Sequence, residues 1–168
     1  MRTLSQVAAV AVSLTFLSAC GGGGDEPPPP PEQTTAAETE TAATQEAPAP
    51  TADSTDTIDG TTLAEFTADP AHGGEVFQQC AACHVLEPGV NRVGPSLAGV
   101  VGREAGTVEG YNYTPANANS GITWTPEKLF QYLENPQRVV PGTKMAFAGL
   151  SDGQDRADVI AYLESGGE

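Results

Sequence analysis

Cys80-Ala81-Ala82-Cys83-His84 is the stretch whose reading decides the fold. It is a C-x-x-C-H run, the sequence form of c-type haem attachment. Two thiols three positions apart can add to the two vinyl groups on one haem edge. The histidine beside the second thiol is then held under the iron as an axial ligand. The alternatives are half of a zinc site and a redox dithiol. A zinc site needs two more ligands, and beyond this run the chain offers only His72 and Cys20. A thioredoxin-like dithiol sits in a βαβ pattern, and none surrounds this one.

A haem iron with His84 on one side has a second axial position to fill. Met1 leaves with the signal segment described below, so Met145 is the methionine of the mature chain. It stands in Pro141-Gly142-Thr143-Lys144-Met145-Ala146-Phe147, a tight turn able to push one side chain inward. A thioether ligand raises the potential and favours electron transfer over chemistry at the iron. The competing readings are Met145 as adaptable core filler and His72 as the ligand. His72 falls in the first turn of a helix, which favours the surface.

The chain has 168 residues, enough for one domain plus extensions. Its 22 acids against 7 bases give a net charge of -15. Nucleic-acid binding demands a basic surface and is excluded on that ground. From Asp25 to Asp59 there are nine acids and no base, whereas from Leu63 onward 13 acids meet 6 bases. Much of the acidity therefore belongs to an N-terminal extension.

That extension reads in two parts. Residues 1–19 have the form of a secretory signal, with Arg2 followed by an apolar run from Val7 to Leu17. The run ends in Leu17-Ser18-Ala19-Cys20, which resembles a bacterial lipobox, so Cys20 is expected to carry the lipid as the mature N-terminus. Lipid anchoring draws on about 0.8 kcal/mol per buried methylene. Residues 20–62 are rich in Gly, Pro, Ala, Thr and Glu and poor in aliphatic bulk. They are expected to form a disordered tether with a span on the order of 35–40 Å.

The folded domain is expected over residues 63–168. Asp69-Pro70 is a helix start, with Asp69 as cap, and the helix runs to about Ala81 with Val76 and Phe77 inward. Thr114-Pro115 and Thr125-Pro126 repeat the signal. The second opens Glu127 to Glu134, with Leu129, Phe130 and Leu133 as its buried face. Asn135-Pro136 ends that helix and can begin another turn. A last helix spans about Gln154 to Glu164, with Ala157, Ile160, Ala161 and Leu163 inward and Gly166-Gly167 closing it. No alternating strand pattern appears. Short helices and long loops leave little protein core, and a haem supplies the missing apolar mass.

From about Asp69 to Glu164 the sequence resembles the class I cytochromes c of the mitochondrial and alphaproteobacterial type. The resemblance rests on Cys80 to His84, Gly94-Pro95-Ser96-Leu97, Gly102-Arg103, Gly121-Ile122-Thr123-Trp124, Tyr132-Leu133-Glu134-Asn135-Pro136, Pro141 to Gly149, and Arg156 to Leu163. It implies the all-α class I cytochrome c fold, with crossed terminal helices around one covalently attached haem c bonded through Cys80 and Cys83 and ligated by His84 and Met145. It places Gly73 and Phe77 against the last helix near Tyr162. It has the Pro95 carbonyl accept from His84, and Arg103, Tyr113 and Trp124 hydrogen-bond the propionates. Asn117, Tyr132 and Thr143 form a polar network on the methionine side, and Phe147 shields the haem edge.

The function implied is a monomeric, membrane-anchored electron carrier, not an enzyme. It takes single electrons from a cytochrome bc-type complex. It passes them by outer-sphere transfer to a haem–copper oxidase or a photosynthetic reaction centre, at the periplasmic face of a bacterial membrane. Whether the inner or the outer membrane holds the lipid is left open. Two other classes compete: a peroxidase or gas-binding haem protein, which needs an open iron position, and a fixed subunit of one oxidoreductase. The mitochondrial type carries a lysine-rich face around the haem edge. Here Lys144 alone stands near the ligand turn, with Arg92, Lys128 and Arg138 elsewhere.

Overall fold

The computed structural model describes residues 48–167. The signal segment, Cys20 and the extension as far as residue 47 lie outside the described residues. Within them the regular structure is helical: a 3-10 turn Leu63–Glu65, then α1 Pro70–Ala81, α2 Pro115–Ala118, α3 Pro126–Glu134, α4 Pro136–Val139 and α5 Gly153–Glu164. Sheet pairing among the described residues amounts to one isolated bridge between Glu104 and Thr123.

Four of the five helices open on proline with a capping side chain before it. The Asp69 carboxylate accepts from the amides of Ala71 and His72, Thr114 from Asn117, Thr125 from Lys128 and Asn135 from Arg138. Proline at the first helical position has no N–H to strand, and its φ is already helical. α5 begins on Gly153, with the Asp152 carboxylate accepting from Gln154.

α1 and α5 cross, and one glycine lets them. A Cβ on Gly73 would lie 2.1 Å from the Asp158 carbonyl oxygen and 2.9 Å from Tyr162 Cβ. One residue-turn further along, the Phe77 and Tyr162 rings meet at 5.3 Å between centroids. The core joins Val76 and Phe77 of α1 to Leu129, Phe130 and Leu133 of α3 and to Ala157, Val159, Ile160 and Leu163 of α5. Val159 takes the inward place expected of Ala161, which is half-buried.

One expectation is overturned. Residues 50–62, assigned above to a disordered tether, lie along α3 as an ordered strap, so the folded domain begins about a dozen residues before Leu63. The strap contributes little apolar burial, which is why its composition reads as unfolded. It is held by main-chain hydrogen bonds to side chains of α3 and α4: the Ser54 carbonyl accepts from Lys128, the Asp56 carbonyl from Gln131 and Arg138, and the Ile58 amide donates to Glu134. The same contacts bury Lys128 and Gln131, two polar residues of a face that periodicity assigns to solvent.

Candidate functional site

The end of α1 delivers Cys80 into a cavity, and the turn after it delivers Cys83 and His84. The amides of Cys83 and His84 both donate to the Cys80 carbonyl, at 3.0 and 2.9 Å, so the three residues form one closed turn. Burial first, then the neighbouring Cys83, pushes the Cys80 thiol up to about 11. As a free thiol it is thus protonated and inert at neutral pH, because the thiolate is the nucleophile.

The His84 ring is fixed by its surroundings. Nδ1 lies 2.8 Å from the Pro95 carbonyl oxygen. A carbonyl can only accept, so Nδ1 carries the proton and Nε2 keeps its lone pair. Burial lowers the imidazole's pKa, which holds the ring neutral. Gly94 backs the ring, and a Cβ there would lie 2.2 Å from His84 Cε1. A neutral ring with one nitrogen tied to a carbonyl and the other free is the usual arrangement of a metal-ligating histidine.

A second part of the lining comes from the 140–149 loop and α3. Met145, Thr143 and Phe147 line it from the loop, and Leu129, Tyr132 and Leu133 from the helix. The Tyr132 hydroxyl donates to Met145 Sδ at 3.3 Å, and the Met145 amide donates to Thr143 Oγ1. The floor is Arg103, Tyr113, Asn117 and Trp124. Arg103 spends its terminal nitrogens on the carbonyls of Ala98 and Ser96. Every residue assigned to the site from sequence, Cys20 apart, thus lines one cavity. His72 does not: it pairs with Asp158 on the outside of α1.

The residues present fit a haem. The cavity wall is largely apolar, and Asn117 Oδ1 is buried with no hydrogen-bond partner among the described residues. Two thiols, a neutral imidazole and a thioether form the donor set of a covalently held, closed iron site. Sequence reasoning passed over Gly94 as a residue that shapes the site. Its signal was present, since a glycine directly before the Pro95 that fixes His84 marks a close backbone approach.

Helical fold, attachment turn and apolar-lined cavity together define a class I c-type cytochrome. A cytochrome c family model matches residues 70–167. Cytochrome c2 of Rhodopila globiformis is 56% identical over 98 residues, covering 58% of this chain and 92% of that protein. Cytochrome c2 of Blastochloris viridis is 52% identical over 97 residues, covering 57% and 76%. The solved structure of cytochrome cH from Methylobacterium extorquens superposes with a TM-score of 0.56 at 46% identity, covering 58% of this chain and 99% of that one. The chain belongs to the cytochrome c family: it binds a single covalently attached haem c and is an electron-transfer protein, not an enzyme.

Proposed function

We propose that this protein is a membrane-tethered carrier that takes single electrons from a cytochrome bc-type complex and delivers them to a haem–copper oxidase or a photosynthetic reaction centre. The haem, bound through Cys80 and Cys83, supplies the one-electron couple. His84 and Met145, both in the cavity lining, would ligate the iron, and neither would have to leave for an electron to pass. Tyr132 and Thr143 steady the Met145 loop. Arg103, Tyr113, Asn117 and Trp124 form the polar end that takes the propionates, and Phe147 covers the edge.

The observation that carries this reading is the pairing of a fixed neutral His84 with a hydrogen-bonded Met145 across one cavity. Two captive ligands leave no open position for a substrate. The lining supports docking without charge: Val93 is 74% exposed, and the exposed lining residues Gln79 and Ala146 are uncharged. Lys144, the cation of the rim, is engaged with the Asn112 carbonyl and the Tyr111 ring.

Membrane attachment rests on Leu17-Ser18-Ala19-Cys20 and the signal-like segment before it. No helix among the described residues is long and apolar enough to cross a membrane. A lipid on Cys20 would hold the domain at the periplasmic face. The test is fractionation with a haem stain: the parent should sediment with membranes and Cys20→Ala should stay in the soluble fraction. A Cys20→Ala protein that still sediments would refute the lipid anchor. Failure of the membrane-bound parent to pass electrons from a bc-type complex to either acceptor would refute the assigned partners.

A further inference from the structure

The chain turns back on itself just after α4, and the turn brings the Met145 loop against the start of that short helix. Val140-Pro141-Gly142-Thr143 closes with the Thr143 amide donating to the Val140 carbonyl at 2.9 Å, and Gly142 has a φ of 86°. Proline then glycine at the central positions is the pattern of a type II turn, whose third residue needs positive φ. Gln137, which follows Pro136 in α4, reaches the returning chain. Its Nε2 donates to the Thr143 carbonyl at 3.1 Å and to the Met145 carbonyl at 3.2 Å. A carbonyl can only accept, so the side-chain amide must present its nitrogen here, with one N–H for each oxygen.

Every polar atom of Met145 therefore has a partner in the stretch 132–143. Its amide donates to Thr143 Oγ1 at 3.3 Å, its carbonyl accepts from Gln137, and its sulfur accepts from Tyr132 at 3.3 Å. These bonds differ in what they hold. Tyr132 acts on the sulfur itself, whereas Gln137 acts on the main chain that carries it. Gln137 is exposed and lies outside the core and the cavity lining. The cap of α4 is a separate contact, from the Arg138 amide to Asn135 Oδ1. Packing and helix capping thus leave the Gln137 side chain unexplained, and the loop carbonyls explain it. Lys144 ties the same loop to the Asn112 carbonyl and lies over the Tyr111 ring, 4.3 Å from its centroid. The loop is strung between α4 and the 111–112 stretch.

We infer that Gln137 is a positioning residue for the axial ligand: its side-chain amide staples the Met145 loop to α4 and keeps the iron's second axial position closed to external bases. The inference rests on the reading of Met145 as that ligand. A base such as imidazole can bind only after the methionine has left, and leaving carries residue 145 away from Gln137. Loss of the staple favours this open form and leaves the sulfur and its Tyr132 donor unchanged. A base that binds only the open form gains affinity in proportion to the open population. Neutral hydrogen bonds from one exposed side chain set that gain at about threefold. The staple serves electron transfer by excluding ligands, whereas the Tyr132 bond acts on the potential.

The test is an imidazole titration of the oxidised full-chain holoproteins at neutral pH, read in the optical spectrum, for the parent, Gln137→Leu and Gln137→Glu. Leucine keeps much of the bulk and has no donor. Glutamate keeps the length, but its carboxylate can only accept and meets two carbonyls that also only accept. Without imidazole both variants should keep the weak red-end band of a methionine–iron bond. Both should bind imidazole about threefold more tightly than the parent, or tighter still. His72→Gln, altered at the helix crossing and away from the cavity, should bind it as the parent does. A parent with the band and either Gln137 variant binding imidazole no more tightly overturns the inference and leaves the ligation reading standing. An equal gain in His72→Gln also overturns it, because the effect would then be a general loosening of the fold. A parent without the band overturns the ligation reading and the inference with it.

Discussion

The Tyr132 hydroxyl donates a hydrogen bond to Met145 Sδ at 3.3 Å. Burial pushes the phenol's pKa up, so the donor stays protonated. With Met145 on the iron, the bond would draw electron density from the sulfur, disfavour the oxidised state and raise the potential. Tyr132→Phe removes the donor and keeps the ring that packs on Trp124 at 4.6 Å. A redox titration should find the potential lowered by up to about 40 mV, the one-electron equivalent of a hydrogen bond worth ~1 kcal/mol. A raised potential would contradict the assignment of this contact.

Gly94→Ala should cripple the site without touching a ligand. The new Cβ would lie 2.2 Å from His84 Cε1 and 2.7 Å from Nε2, distances that force the ring or the backbone to move. The Gly94 amide is tied to the Cys83 carbonyl at 2.8 Å, so the backbone has little room to yield. Overpacking of this kind costs about 1–3 kcal/mol. The expected result is a lower holoprotein yield and a lower denaturation midpoint, both measurable on purified protein. Wild-type stability in the alanine variant would mean that His84 is not held against Gly94.

Gly94 also shows where sequence reading stopped. The ligands and thiols are legible because their chemistry allows few residue types, and the helix starts because each cap–proline pair has a local cause. Gly73 was legible as a helix crossing. Gly94 has the same kind of role, but its partner is a side chain brought close only by the fold. Lys128, Gln131 and Arg156 are hidden for another reason. Each looks like a solvated polar residue, and its burial depends on a segment of low hydrophobicity that docks through its own main chain. Periodicity measures apolar burial, and the strap offers almost none.

Removing the strap should therefore destabilise the domain. Without residues 48–62, Lys128 loses two carbonyl partners and Arg156 loses the Asp59 carboxylate. That carboxylate is itself desolvated, but hydrogen bonds from Arg156 and Thr61 hold it well below the usual range. Lys128 and Arg156 then meet water where the strap lay, so the loss is that of the strap's hydrogen bonds, each worth about 0.5–1.5 kcal/mol. Denaturant unfolding of a chain starting at Leu63 should show that loss against one starting at Pro48. Equal midpoints would return the domain boundary to Leu63.

The helix crossing carries a pH dependence. His72 Nδ1 lies 2.8 Å from the Asp158 carboxylate, with Asp155 3.9 Å away. The hydrogen bond to Asp158, then the charges of Asp158, Asp155 and Glu75, raises the His72 pKa against a smaller effect of desolvation. A raised folded value stabilises fully below the unfolded pKa near 6.5, and the gain is lost as pH rises through the folded value. Asp158 is the opposite case. Desolvation works against its charge, but bonds from the Asp69 amide, His72 and Gln154 lower its pKa, so its contribution fails only in acid. His72→Gln should thus lose more stability at pH 5 than at pH 9, as measured by thermal unfolding at the two values. A loss that is equal at both would show that the ion pair contributes nothing.

The proposed carrier function depends on a haem site closed by His84 and Met145. The most direct measurement is the optical spectrum of the oxidised holoprotein beside that of Met145→Ala. The parent should be low-spin and show the weak red-end band of a methionine–iron bond. In the variant that band should vanish, added azide or imidazole should bind readily, and the potential should drop. A high-spin parent, or a variant with the parent's spectrum, would contradict that closure.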